Sequence, residues 1–179
     1  EIIEIEVDGL IRKQYISNCL WNLYRGSGSP VSPYLLQSIH MALEKYFLEN
    51  GKNMDSKVLE SWLLYLLKNT KSASITSVVA SIVLAYPEKI FNIAKILFKI
   101  KEFFLYDLTR MMSDQTVKGL YSIGYGLNYK TKMYADERIK TCDDKHRKFA
   151  LEHIFLNYQM FRSEEISDEE ANQRQDELW

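Results

Sequence analysis

Apolar side chains recur at helical spacing along most of this chain, and the densest pattern lies between Ser72 and Arg110. Within it, Ile75, Val78, Val79 and Ile82 share one face of a helix, with small Ser and Ala residues beside them. Small residues let a neighbouring helix approach closely. Although so many β-branched residues could also form a strand, the helical stripes on both sides favour a helix over 75–85. We therefore expect a central scaffold helix here.

Pro87 interrupts this apolar stretch and disfavours α geometry at Tyr86. The pattern predicts a corner there, with Pro87 as the first residue of the next helix. The apolar stripe Ile90, Ala94, Leu97 and Phe98 then predicts that helix. A break near 99–102 precedes another, whose apolar residues are Phe104, Leu108, Met111 and Met112.

Further helices are predicted by apolar stripes on both sides of this centre. Their residues are Ile16, Cys19, Leu20 and Leu23; Leu36, Ile39, Leu43 and Phe47; Leu59, Trp62, Leu63, Leu66 and Leu67; and Leu151, Ile154, Phe155 and Tyr158. Start signals are Ser32-Pro33, Asp55, and Asp143 or Asp144, and stop signals are 26–30 and Asn50-Gly51.

Two segments depart from the helical period. Residues 1–8 alternate apolar and acidic side chains, which is the pattern of a half-buried strand. A lone strand cannot form a sheet, so this piece either pairs outside the chain or leads into a helix that starts at Leu10. The helical signal weakens from Gln115, and residues 119–129 hold three glycines and three tyrosines without a clear period, so we expect an irregular connection over 119–129.

The fold class predicted is all-α, with stacked antiparallel helix pairs in an α-solenoid-like or irregular bundle. Seven Gly and three Pro in 179 residues are few for a fold built from many tight turns. Residues 1–162 are predicted to form one helical domain, and because the sequence starts at Glu1 we expect this domain to be a fragment of a larger protein. Residues 163–179 form a polar, acidic extension, a solvated helix or a frayed end, opened by a Ser167–Glu170 capping box.

Charge and cysteine content narrow the class of protein. With 23 Lys and Arg against 24 Asp and Glu, the net charge of −1 provides no general attraction to nucleic acid or anionic lipid. Cys19 and Cys142 form no disulfide framework, and a reducing cytoplasm is the simpler interpretation. Apolar runs are interrupted before they reach membrane-spanning length, so no membrane partner is expected.

Candidate chemistry is sparse. No glycine precedes a Gly-Lys-Ser/Thr phosphate loop, so we expect no ATP binding and assign no cofactor. Cys142, His146 and His153 have helical spacing that could gather metal ligands, but a fourth ligand is missing. A Cys–His nucleophile pair lacks an orienting carboxylate and oxyanion donors. We therefore assign these three residues a structural role and name no catalytic or metal residue.

Charged residues suggest two other features. Asp107 and Arg110 are three residues apart, so they can pair on one helix face, and we interpret the pair as structural. The carboxylates Glu44, Glu60, Asp107 and Glu152 show no acid–base pairing. The segment Tyr129 to Lys148 interleaves bases with aromatics, as nucleic-acid-binding surfaces do, but nearby acids offset over half the charge. Its residues are Tyr129, Lys130, Lys132, Tyr134, Arg138, Lys140, Lys145, Arg147 and Lys148, offset by Asp136, Glu137, Asp143 and Asp144.

One family resemblance covers roughly Ser38 to Gln159. The strings Ile75-Thr-Ser-Val-Val-Ala-Ser-Ile-Val-Leu-Ala-Tyr-Pro-Glu-Lys and Glu102-Phe-Phe-Leu-Tyr-Asp-Leu-Thr-Arg resemble a segment of large bacterial STAND-class ATP-binding proteins. Supporting fragments are Met41-Ala-Leu-Glu-Lys, His146-Arg147, Leu151-Glu152 and Tyr158-Gln159. These are signal-transducing NTPases, several of them antiphage-defence proteins, in which a helical region links the NTPase core to sensing.

The resemblance implies a non-catalytic helical interaction or regulatory region, since the phosphate loop of the core is absent from this sequence. Its partners would be other domains of the same protein or a protein ligand. The less favoured alternative is a nucleic-acid-binding helical domain that uses Tyr129 to Lys148. A third hypothesis, a metal-dependent enzyme, would use Cys142, His146 and His153.

Overall fold

The computed structural model describes residues 1–25, 34–124, 136, 140–160 and 165–178, and these are mostly helical. The strands are β1 (Ile2–Val7) and β2 (Leu10–Tyr15). The α-helices are α1 (Asn18–Trp21), α2 (Tyr34–Asn50), α3 (Ser56–Asn69), α4 (Ala73–Ala85), α5 (Phe91–Phe98), α6 (Lys101–Gly124), α7 (Leu151–Met160) and α8 (Asp168–Asp176). In the described part of the chain, 3₁₀ turns are formed by Leu23–Arg25 and Lys145–Lys148. Within the described ranges, no helix is both long enough and apolar enough to cross a membrane.

The first fifteen residues form an antiparallel β-hairpin, which corrects the all-α class. The strand expected in residues 1–8 is confirmed, but its partner is β2, with Val7 opposite Leu10. The helix expected from Leu10 is therefore wrong. Asp8 and Gly9 form the turn with φ of 50° and 72°, and positive φ at both central residues is what a tight two-residue hairpin loop needs. An Asp-Gly dipeptide that follows alternating apolar and polar side chains is a signal for this turn, although the predicted helix from Leu10 did not take it into account.

Helix α4 is the central helix of the fold. The side chain of Ser72 caps it by accepting a hydrogen bond from the Ser74 N–H, and eleven of its 13 residues are buried. Helices α2, α3 and α5 all pack against it. Burial on every side explains why it lacks a polar face. The predicted scaffold helix is confirmed.

The corner at Tyr86 and Pro87 is also confirmed, although the next helix begins at Phe91 and Pro87 lies in a turn before it. The Tyr86 hydroxyl donates a hydrogen bond to the Leu48 carbonyl near the end of α2. Gly51 makes this approach possible, since a Cβ there would lie 2.7 Å from Tyr86 Cε2. The predicted break before α6 is present.

Helix α2 buries a different stripe from the predicted one. Ile39 is 54% exposed and Leu36 is 39% exposed, although both belong to the apolar stripe. The buried stripe is Gln37, His40, Glu44 and Phe47. Of the predicted residues, Phe47 is buried and Leu43 half-buried. A mainly polar face of α2 thus packs into the protein.

Helix α6 shows the same displacement. The predicted Phe104, Leu108 and Met111 are half-buried and Met112 is exposed. The buried stripe is Phe103, Asp107, Arg110 and Asp114. The helix also continues to Gly124, so the irregular connection expected over 119–129 is wrong for residues 119–124. Residues 125–129 lie outside the described residues.

The remaining predictions for the N-terminal half have mixed outcomes. On α3, Asp55 is the N-cap and Leu59, Leu63 and Leu67 are fully buried, as expected, but Trp62 is 52% exposed. The Asn50-Gly51 stop is confirmed. Residues 26–33, which include Ser32-Pro33, lie outside the described residues.

At the C-terminal end, α7 begins at Leu151, after the 3₁₀ turn that follows Asp144. Ser167 caps α8 by accepting from the Glu170 N–H. Arg174 on α8 is buried and donates to the carboxylate and carbonyl of Glu88, so α8 is docked beside the Pro87 corner. The acidic side of α8 is exposed, as expected for a solvated extension, but the burial of Arg174 was not expected.

Candidate functional site

A cluster of buried charges lies where α2 and α6 face the two 3₁₀ turns. Its members are at most 9% exposed: Arg25, Glu44, Asp107, Arg110, Asp114, His146 and Arg147. We call this set the ionic cluster. Three guanidinium groups face three carboxylates, so the charges balance before His146 is counted.

Arg110 lies at the centre of the ionic cluster and is fully buried. Its Nε donates to Asp107 Oδ1 at 3.0 Å, and its Nη1 lies 3.3 Å from Asp114 Oδ2. The same guanidinium donates to the backbone carbonyls of Arg147 and Phe149. The i,i+3 ion pair expected from the sequence is therefore present, and Arg110 also binds the chain on the far side of the cluster.

Asp107 extends the cluster to α7 and α1. Its Oδ2 accepts the Leu151 N–H at 2.9 Å, so a carboxylate from α6 lies at the N-terminus of α7. Negative charge is favourable at a helix N-terminus. On the other side, Trp21 Nε1 lies 3.4 Å from Asp107 Oδ1.

Asp114 joins the first 3₁₀ turn to α6. Arg25 donates to Asp114 Oδ1 through Nε at 2.8 Å and through Nη2. The Cys142 thiol lies 3.7 Å from the same oxygen, and Arg147 Nη1 lies 3.9 Å from it. One carboxylate thus meets side chains from three other segments.

Glu44 is the acidic residue that α2 contributes. It accepts from the Ser81 hydroxyl at 2.5 Å and from Arg147 Nη2 at 2.7 Å, while His146 Nε2 lies 3.7 Å away. Burial alone would raise the pKa of Glu44, but His146, Arg147 and Ser81 outweigh it and hold the pKa below its ordinary value. Glu44 is thus stabilised as a carboxylate.

The cations show the matching effect. Burial alone would lower the pKa of Arg110, but nearby Asp107 and Asp114 carboxylates raise it above its ordinary value. Arg147 follows the same pattern, with Glu44 as the leading opposing charge. Tyr24 lies beneath Arg147, with its ring centroid 5.5 Å from the guanidinium carbon, and burial raises the pKa of its hydroxyl. These shifts keep each group in its paired, charged form, or neutral in the case of Tyr24.

What this arrangement does is join segments that are distant in the sequence. Each carboxylate of the ionic cluster carries at least one guanidinium, so its lone pairs and charge are already engaged. Removing one partner of a buried ion pair leaves an uncompensated charge and costs about 3–5 kcal/mol. The cluster therefore fixes α2, α6 and the two 3₁₀ turns in one arrangement.

The three candidate metal ligands, Cys142, His146 and His153, do not form a metal-binding group. Cys142 lies against Asp114, and His146 lies against Glu44. His153 Nδ1 accepts the Ala150 N–H at 3.2 Å, where it helps to start α7. Among the residues whose placement is described, no group of three His, Cys, Asp or Glu is arranged to hold a metal ion. Neither cysteine forms a disulfide; Cys19 is exposed and Cys142 is buried.

The basic surface predicted for Tyr129 to Lys148 lacks Arg147, because that side chain is buried in the ionic cluster. Lys140, Lys145 and Lys148 are exposed and remain available for a phosphate. Tyr129, Lys130, Lys132, Tyr134 and Arg138 lie outside the described residues. The four helical carboxylates considered as acid–base candidates have separate surroundings. Glu44 accepts hydrogen bonds from Ser81 and Arg147, Glu60 accepts one from Asn92, and Asp107 accepts one from Arg110, while Glu152 is exposed.

Sequence reasoning found the Asp107–Arg110 pair but missed Arg25, Asp114 and the burial of Glu44. One signal was present for Asp114, because positions 107, 110 and 114 continue a single polar stripe along α6. Arg25 had no such signal, since it is 89 residues from its partner.

Comparison with known proteins yields no match, either to a protein-family model or to a curated protein.

Proposed function

We propose that this chain is a non-catalytic helical interaction and regulatory region of a larger bacterial ATP-binding signalling protein of the STAND class. It would hold NTPase and sensing elements in register, as stacked helix pairs do in α-solenoids. The observation that carries the proposal is the ionic cluster, in which buried ion pairs join helices that are distant in the sequence. Coupling between distant sites is carried by packed side chains, by hydrogen-bond and ion-pair networks and by rigid helices, and the ionic cluster is a network of this kind.

The resemblance supports the same proposal. Three of the fragments that carry it supply members of the ionic cluster: Met41–Lys45 contains Glu44, Glu102–Arg110 contains Asp107 and Arg110, and 146–147 is the pair His146-Arg147. The fragment Ile75–Lys89 contributes Ser81, which donates to Glu44. The likeness thus falls on residues that contact one another.

ATP hydrolysis, the effect of ATP on the melting temperature and the complete reading frame all test the proposal. We expect the purified chain to show no ATP hydrolysis and no ATP-dependent rise in melting temperature, because it contains no phosphate-loop sequence. ATP turnover that survives further purification, or a complete reading frame without a phosphate-loop motif, would contradict the proposal.

Nucleic-acid binding is the rival function, and exposed Lys140, Lys145 and Lys148 are what favours it. A gel shift with single-stranded and duplex probes at several salt concentrations tests it. The informative variant is Lys145→Ala with Lys148→Ala. Arg147 is left intact, since its loss would disturb the ionic cluster. A salt-dependent shift abolished by this variant would favour the rival.

A further inference from the structure

The buried guanidinium of Arg174 lies against two aromatic rings at the Pro87 corner. The rings belong to Phe91 on α5 and Tyr158 on α7, and their centroids lie 5.0 Å apart with the ring planes at 75°. The guanidinium carbon of Arg174 lies 5.2 Å from the Phe91 centroid and 5.8 Å from the Tyr158 centroid. Both distances are within the range of cation–π contacts. We call Glu88, Phe91 and Tyr158 the arginine site.

Glu88 supplies the polar side of the arginine site with two acceptors. Its carboxylate Oε2 accepts from Arg174 Nη1 at 3.1 Å, and its backbone carbonyl accepts from Nη2 at 2.8 Å. The Tyr158 hydroxyl donates to the Pro87 carbonyl, so the ring is fixed at the same corner. Two acceptors that meet separate nitrogens beside two rings suit a planar guanidinium better than a compact ammonium. The site therefore has the chemistry of a guanidinium receptor.

Helix α8, which carries Arg174, is held to the rest of the fold by few apolar contacts. Of its nine residues, Ala171 and Arg174 are buried, so it buries one apolar side chain. A further tie is the ion pair between Lys95 of α5 and Glu177. A helix of this length is not stable alone, and segments with few buried apolar contacts open at a lower free energy than the whole fold. Helix α8 can therefore leave the site while the rest of the chain stays folded.

We infer that the arginine site binds an arginine side chain of another protein, and that α8 covers it as an internal competitor. Arg174 itself shows which chemistry the site accepts. When α8 is released, Glu88, Phe91 and Tyr158 become free to take a guanidinium from a partner. The site goes beyond the proposed function, since it is defined without an NTPase domain and without ATP.

The first test empties the arginine site in the whole chain. Arg174→Ala removes two methylene groups and the guanidinium, and ethylguanidinium has the same heavy atoms as the part removed. Titration of this variant with ethylguanidinium should shift the NMR signals of the Phe91 and Tyr158 ring protons saturably. The dissociation constant should be about 1 mM, a modest affinity for so small a ligand. Ethylammonium should bind about tenfold more weakly, because it cannot reach both acceptors of Glu88.

Two further substitutions in the Arg174→Ala chain separate the arginine site from general cation binding. Glu88→Gln should weaken ethylguanidinium about tenfold, because it replaces a charge-assisted hydrogen bond by a neutral one. Glu49→Gln removes an exposed carboxylate from α2 and should leave the binding unchanged. Circular dichroism confirms that each variant is folded.

Hydrogen exchange of the unmodified chain tests whether α8 can be displaced. Ethylguanidinium can bind the arginine site only while α8 is released. At ten times its dissociation constant it should therefore raise the released population, and with it the exchange rate of the α8 amides, about tenfold. The amides of α4 should exchange as before, since that helix is buried in the core. Ethylammonium at the same concentration is the control ligand.

The inference is overturned if Arg174→Ala shows no saturable shift, or if ethylammonium binds as tightly as ethylguanidinium. It is also overturned if ethylguanidinium leaves the exchange of α8 unchanged, because Arg174 would then only fix α8 in place. Should Arg174→Ala fail to fold, the exchange experiment decides, since it needs no substitution. None of these measurements involves ATP, so the proposed function is tested separately.

Discussion

The two halves of this core are held together in opposite ways. Around α4, the β1, α3 and α5 side chains form an apolar core that includes Ile5, Leu63 and Ile93, all 0% exposed. On the other side, α2, α6 and the 3₁₀ turns meet through the ionic cluster. Apolar contacts are non-directional, whereas the cluster requires each donor to meet its acceptor. The apolar half is therefore expected to tolerate substitutions that conserve volume, whereas the ionic half should be destabilised even by a conservative substitution.

The largest effect is expected at the centre of the ionic cluster. Arg110→Ala leaves Asp107 and Asp114 buried with fewer partners and frees two backbone carbonyls, which should cost about 3–5 kcal/mol of unfolding free energy. Urea denaturation measures it. Lys13→Ala is the control, because Lys13 and Glu4 form an exposed pair worth about 1 kcal/mol or less. Equal losses in the two variants would show that the cluster is not a special feature of the core.

The apolar half should respond to cavity formation alone. Leu63 is fully buried on α3, so Leu63→Ala should destabilise the fold by about 2–5 kcal/mol. Leu63→Met, which nearly conserves volume, should cost less than about 1.5 kcal/mol. Arg110→Lys cannot reproduce the forked hydrogen bonds of the guanidinium, so it should cost more unfolding free energy than Leu63→Met. Measuring the two variants side by side tests the contrast between the ionic half and the apolar half. If Arg110→Lys proves as mild as Leu63→Met, the contrast is wrong.

Acid should loosen the ionic half first. Because the folded-state pKa of Glu44 lies below its ordinary value, its stabilising effect is complete above the unfolded pKa of about 4.3 and is lost as pH falls through the folded pKa. Glu44→Gln should therefore flatten the decline of unfolding free energy below about pH 5. Glu49→Gln, on the exposed side of α2, is the matched control. An unchanged slope for Glu44→Gln would contradict the pairing described here.

The smallest effect is expected where the apolar stripe of α2 faces outward. Ile39→Ser should change the unfolding free energy by less than about 0.5 kcal/mol, as surface substitutions usually do. If Ile39 were part of the core, as the stripe predicted, the loss would instead be of the order seen for Leu63→Ala. Thermal melting of the two variants side by side decides between these outcomes.

Local sequence signals determined much of the apolar half. The caps at Ser72 and Asp55, the corner at Pro87 and the buried leucines of α3 follow from nearest-neighbour rules that act within one or two turns. The hairpin turn at Asp8-Gly9 belongs to the same group, since its dipeptide carries the signal. These features depend on backbone geometry and on the period of apolar residues, and both are local.

Only the tertiary structure decided which face of α2 and α6 is buried. The stripe rule assigns the apolar side inward, but Glu44 is paired with Arg147 across 103 residues and Arg25 with Asp114 across 89. Burying a charge is unfavourable for a helix considered alone and becomes acceptable only when the opposite charge is brought to it. The sequence determined that these helices form, while ion pairs between residues distant in the sequence determined which face of each helix is buried.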